Sequence, residues 1–230
     1  MGKNTHQHFV PKFYQKGFSE NNLIYSLDKN TKPYKPEKIS IRDSLVKKNI
    51  YSLENVESNI EQILEEALSE IEGDMSVIIK KISSCEELSL EDMTKFIYFI
   101  AVQRVRSPVY LEEVKEQLLE VNKIVASLGI DEIETTKNYI LENSFSNIDK
   151  IYQVLLQRKW LFLINTNKDS VFITSDFPVY CLPPRDHHLN NINNGWGLEE
   201  TIHFPITQNI IAICKKVEGK TKKKHMFLYL

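Results

Sequence analysis

Four residues of chemically useful type stand far apart in the sequence: His8, Gln103, Arg106 and Asp176. An imidazole titrates near neutrality and passes protons as a general acid or base. A guanidinium holds an anion, phosphate above all, in a planar fork of donors. Gln103 and Arg106 are three apart, hence neighbours on one helical face, so Gln103 would orient what Arg106 holds. Asp176 precedes Phe177-Pro178, where a strand ends, and could pair with Arg106 or polarise His8. Together the four suit phosphodiester hydrolysis or a related transfer, with His8 as acid/base and Arg106 on the anion. Each also has a purely structural reading. His8, followed by Val10-Pro11, could pin the N-terminal arm. Arg106 could close a helix end or form a buried pair with Asp176, since an unpaired buried charge costs several kcal/mol.

Other chemistry is less well supplied. His6, His8, His187, His188, His203 and Asp176 are the candidate metal ligands, but their spacing fits no zinc pattern and no cysteine joins them. No metal site is therefore expected. Mg²⁺ on a carboxylate such as Asp176 stays open as a cofactor, because it needs only one or two protein carboxylates. Cys85, Cys181 and Cys214 are scattered and read as small hydrophobes in a reducing cytoplasm. Nucleophile elbow, Walker loop, dinucleotide fingerprint and HExxH are all absent. Twenty-nine basic against thirty-one acidic residues leave a net charge of −2, which excludes a histone-like polycation but permits a local basic patch. One such run is Lys215-Lys216 with Lys220 and Lys222–Lys224, a solvated hairpin tip or a contact to phosphate backbones. The longest apolar run, residues 96–102, is far short of the ~20 residues of a membrane span. The N-terminus lacks the apolar core of a signal peptide.

The elements that must position these residues fall into three zones of a single domain over residues 1–230. Residues 1–53 are turn-rich, with strands at 23–27 and 34–41 around a cluster of turn formers and another at 49–53. Residues 55–158 are helical. Val56, Ile60, Ile63, Leu64, Ala67, Leu68 and Ile71 recur at three- and four-residue steps, and Met75, Ile78, Ile79 and Ile82 extend the series. That pattern is one amphipathic helix of ~40 Å, with Gly73 as the place for a bend. Ser89 caps a second helix through the Asp92 amide, and its nearly all-apolar run demands burial on most sides. Pro108 opens a third, stopped by Gly129. Two more lie at 131–143 and 147–158. From residue 159 the period changes, with strands at 160–165, 171–174, 179–182, 201–206 and 210–214. A tight hairpin at 167–170 joins the first two, and a long polar loop fills 183–200. Strands, helices, then strands predict α+β: about five helices packed with an antiparallel sheet built from both chain ends.

Four local patterns carry a resemblance: Gln7-His8-Phe9-Val10-Pro11-Lys12-Phe13-Tyr14, Gln103-x-x-Arg106-x-Pro108, Phe172-Ile173-Thr174-Ser175-Asp176-x-Pro178-Val179, and Phe204-Pro205-Ile206-Thr207. In this order they resemble the bacterial domain-of-unknown-function family 4238, over residues 8 to about 214. The family supplies no established activity. The expectation is a cytoplasmic protein acting on a phosphate-bearing ligand, nucleic acid first, nuclease-like, in a toxin or phage-defence setting suggested by the resemblance. The alternative is a non-catalytic sensor or interaction module, in which the same four residues form a buried polar clamp and the helical zone meets a protein partner.

Overall fold

Ser89 accepts a hydrogen bond from the Asp92 amide, and the Asp92 carboxylate accepts from the Ser89 amide in return. Two of the orphan amides that begin a helix are thereby satisfied. In the computed structural model, which describes residues 6–54, 58–182, 201–215 and 226–229, this cap opens one of five long helices. Before them come β1 (His6–His8), the short α1 (Lys12–Gln15), β2 (Leu23–Ser26), β3 (Glu37–Ser40) and β4 (Val46–Lys48). The five are α2 (Ser58–Ser83), α3 (Leu90–Val105), α4 (Pro108–Ser127), α5 (Lys137–Ser146) and α6 (Ile148–Leu156). Strands β5 (Lys159–Ile164), β6 (Tyr180–Leu182), β7 (Thr201–Thr207), β8 (Ile210–Lys215) and β9 (Met226–Tyr229) follow.

The α+β class holds, and both chain ends contribute antiparallel strands, but as separate sheets. N-terminal strands pair as two ribbons, β1 with β4 and β2 with β3. The five-stranded sheet, in the order β6-β7-β8-β5-β9, is C-terminal, and its β5–β9 pair is parallel. Two expected strands are not strands. Residues 49–53 form a turn, with Asn49 at φ 54°, and the strand lies just before them at Val46–Lys48. Residues 171–174 run irregularly, and Phe172 donates one backbone hydrogen bond to the Gln208 carbonyl. Their residue types suggested strands, but pairing depends on a partner that local propensity does not contain. The helix expected at 131–143 begins later, at Lys137, where Thr136 accepts from the Tyr139 amide. Gly129, at φ 70°, ends α4 in the left-handed conformation that favours glycine.

One core draws on all three zones. From β5 and β7, Trp160, Phe162, Phe204 and Ile206 turn inward at alternate positions, all fully buried. α3 lies against them: the Phe96 ring meets Trp160, Phe162 and Phe204 edge-on, and Phe99 meets Phe204. α3 also packs on α2 and α6, which explains its apolar character on most sides. No described helix is long and apolar enough to cross a membrane.

Candidate functional site

The segment from β1 to α1 threads between the helices and the sheet, and buried side chains hold its backbone. Gln103 donates from Nε2 to the Phe9 carbonyl at 2.9 Å, and Arg106 donates from Nη2 to the His8 carbonyl at 2.7 Å. Gln15 donates from Nε2 to the Val10 carbonyl at 2.9 Å. Three consecutive carbonyls, otherwise stranded in an apolar interior, are satisfied in this way. Arg106 sits at the C-terminal cap of α3 and is 3% exposed. Its Nη1 meets Glu72 Oε1 of α2 at 2.8 Å, and its Nε donates to the Tyr51 hydroxyl at 3.4 Å. Tyr51 in turn donates to the Arg106 carbonyl at 2.6 Å. Burial alone would lower the Arg106 pKa, but Tyr51 and Glu72 outweigh it and raise it, so the guanidinium stays charged.

The expected Arg106–Asp176 pair does not form: the partner of Arg106 is Glu72. Asp176 is exposed and makes no hydrogen bond or ion pair among the described residues. The structure therefore brings His8, Gln103 and Arg106 together around one strand and leaves Asp176 out. The signal for Glu72 was in the sequence. It lies four residues after Leu68 and three before Met75, an acid in line with the apolar stripe of α2, a position that suits an acid with a cationic partner but does not name that partner. Tyr51, in a turn, carried no comparable mark.

The other two patterns join the same segment further on. The Tyr14 hydroxyl donates to the Pro205 carbonyl at 2.6 Å, leaving Thr174 Oγ1 to donate to it at 2.7 Å. Gly17 passes so close to β7 that a Cβ there would lie 2.9 Å from the Ile206 carbonyl oxygen. Its own carbonyl accepts from the Gln208 amide at 3.1 Å. Arg104, paired with Glu113 at 3.0 Å, stacks its guanidinium 4.1 Å over the Phe177 ring. All four sequence patterns thus touch, and most of their residues serve packing. Tyr14→Phe should therefore lower the unfolding free energy by about 1–3 kcal/mol, because it strands a buried carbonyl and a hydroxyl. Urea denaturation checks this, and a change of only a few tenths would contradict the role given to the hydroxyl.

What remains open to solvent is the outer side of β1. His6 and His8, two apart on a strand, share a face and line a cleft of about 670 Å³ with Lys12, Arg42, Asp43 and Val46. A smaller cleft of about 300 Å³ shares His6, His8 and Lys12 and reaches Glu72 and Arg106. The His8 ring is half-buried, with Nε2 3.1 Å from the Ile41 carbonyl. Burial lowers its pKa below 6.5; the Ile41 carbonyl opposes this and the Lys12 charge adds to it, so the ring is neutral at pH 7. Among the described residues lining the larger cleft, Lys12 and Arg42 contribute two positive charges against one negative charge from Asp43. Sequence reasoning found His8 but not Lys12 or Arg42 as its companions; Arg42 reaches the cleft only through the fold, next to Ile41, whose carbonyl meets the His8 ring.

Among the described residues, no group of three or more His, Cys, Asp or Glu side chains is placed to hold a metal ion. His187, His188 and the 183–200 loop lie outside the described residues, as does most of the Lys215–Lys224 run. His203, on β7, has its pKa lowered by burial and then by Lys215. Burial pushes the Cys214 thiol up to about 12, so it is no nucleophile at neutral pH.

Fold and site define an α+β protein whose N-terminal strand is clamped by helix-borne Gln and Arg beside a cationic cleft. The chain belongs to the family described as Protein of unknown function (DUF4238), which matches residues 6–225. No curated protein and no solved structure is significantly similar to it.

Proposed function

We propose that this protein binds a phosphate-bearing ligand, nucleic acid first, in the cleft of His6, His8, Lys12 and Arg42, and that His8 is the acid/base for phosphodiester cleavage there. The observation that carries the reading is the half-buried His8 imidazole, set against the Ile41 carbonyl in a cleft whose open wall carries Lys12 and Arg42; burial lowers its pKa. A neutral ring beside two fixed cations can take a proton from water or a hydroxyl while the cations hold the phosphate. Gln103 and Arg106 act as positioning residues, since their donors are engaged by the Phe9 and His8 carbonyls and by Glu72. The three free cysteines suit a reducing bacterial cytoplasm, the setting that goes with a toxin or phage-defence role. Asp43 is the carboxylate in the cleft that Mg²⁺ would use.

A second reading, a non-catalytic sensor or interaction module, is favoured by the closed state of the clamp. One experiment separates them: anisotropy with single- and double-stranded DNA and RNA at two salt concentrations, followed by cleavage assays with and without EDTA. Lys12→Glu with Arg42→Glu should keep the fold and lower affinity by about tenfold, with a shallower salt dependence. His8→Gln should bind but not cleave. Cleavage by the native chain should fall as pH drops through the His8 pKa, below 6.5, because protonation removes the base. Binding without cleavage would favour the module, and absence of salt-dependent binding to any substrate would end the phosphate reading.

A further inference from the structure

A second cleft, of about 460 Å³, lies where the end of β4, the start of α4 and the start of α5 meet. Among the described residues it shares no lining residue with the two histidine clefts. Its floor is aliphatic: Ile50, Ile140 and Leu141 are 5–9% exposed, and Leu111 packs beside them. Its rim is cationic, formed by Lys47, Lys48, Lys115 and Lys137, with Glu112 as the one acid among the described residues. Glu112 is bound to Lys115 at 2.9 Å. Lys47, Lys48 and Lys137 form no ion pair among the described residues, so the rim keeps about three positive charges uncompensated.

Lys137 is also tied to the backbone. Its Nζ donates to the Asn49 and Ser52 carbonyls, both at 2.6 Å, which leaves one N–H and the whole charge for a ligand. Asn138 next to it exchanges two hydrogen bonds with Glu54, at 2.8 Å each. The turn after β4 is thus locked to α5, and the cleft is pre-formed rather than assembled on binding. Its volume is that of a small-molecule pocket. Among the described residues no aromatic ring lines it, so they offer nothing for a base to stack on, and a nucleic acid strand is the wrong occupant.

We infer that this cleft binds a small organic anion with an apolar body, an acyl or alkyl chain or ring bearing a carboxylate or phosphate. The body would lie over Ile50, Leu111, Ile140 and Leu141, and the anionic head would meet Lys137, Lys47 and Lys48. Both halves are needed: the aliphatic floor gives roughly 25 cal/mol per Å² of apolar surface covered, while exposed ammonium groups alone hold an anion weakly in salt.

The test uses the full chain and 1-anilinonaphthalene-8-sulfonate, an apolar ring system with one anionic group, as the fluorescent probe. Decanoate and decyl phosphate are the competitors; inorganic phosphate and decyltrimethylammonium are the controls. Both competitors should displace the probe, the tighter one naming the head group, and neither control should. Lys47→Glu with Lys48→Glu, exposed positions on β4, should melt like the native chain and bind about tenfold more weakly, some 1.4 kcal/mol. Methyl NMR of the native chain with decanoate keeps the test independent of that variant, and the shifts should fall on Ile50, Leu111, Ile140 and Leu141. Displacement by the cationic detergent, unchanged affinity in the folded variant, or methyl shifts elsewhere would each overturn the inference. Lys12→Glu should leave probe binding unchanged, so failure at one cleft is distinct from failure at the other.

Discussion

Arg106→Ala is expected to lower the unfolding free energy by about 3 kcal/mol, the lower end of the 3–5 kcal/mol typical of breaking a buried ion pair. The lower end applies because the Glu72 side chain remains 28% exposed, against 4% for Arg106, and water can reach the abandoned carboxylate. Added to this is the loss of a donor by the His8 carbonyl and the Tyr51 hydroxyl. Arg106→Lys should recover little, because one ammonium cannot reproduce a fork that reaches Glu72, Tyr51 and the β1 backbone together. Arg106→Met combined with Glu72→Leu should recover more, since it removes the isolated charge instead of creating one. Guanidinium-chloride denaturation of the four proteins measures this. A loss below 1 kcal/mol for Arg106→Ala would mean that the clamp does not hold β1.

Phe96→Ala is expected to cost about 3–5 kcal/mol, comparable to the whole stability of many domains. The ring is fully buried. It meets Trp160 at 5.3 Å between centroids, Phe162 at 5.5 Å and Phe204 at 6.4 Å, all edge-to-face. Such geometry adds about 0.5–1.5 kcal/mol per pair beyond area burial. Nothing else in α3 can fill the void, because Phe99 is already engaged with Phe13 and Phe204. The variant should lose near-UV circular dichroism from Trp160 while keeping helical far-UV signal. Full retention of both spectra with a small change in midpoint would show that the helix–sheet contact can re-form without this ring.

Both results bear on the candidate cleft through its scaffold. Arg106 fixes the strand that carries His8, and Phe96 fixes the helix that carries Arg106. Neither side chain needs to touch a ligand for its loss to disturb the cleft.

Much of this protein is determined by local pattern. The apolar spacing of α2, the Ser89 and Pro108 helix starts, the Gly129 stop and the change of period near residue 159 are statements about neighbours in the chain. Neighbour physics decides them: capping, the reach of i and i+4 side chains, and the left-handed freedom of glycine. The family was legible for a similar reason, since its patterns are contiguous stretches. His8 was legible as a residue type. Its role was not, because burial, the Ile41 carbonyl and Lys12 act on it through the fold. Only tertiary structure decided that Arg106 joins Glu72 rather than Asp176, a choice between carboxylates 34 and 70 residues away. The deciding factor is where α2 lies against the end of α3, and charge type alone cannot express it. Likewise, composition shows a nearly neutral chain, whereas the fold gathers Lys12 and Arg42 at one cleft and Lys47, Lys48 and Lys137 at another. Electrostatic potential depends on separation in space, and Lys12 and Arg42, 30 residues apart in the chain, become walls of one cleft only in the folded molecule.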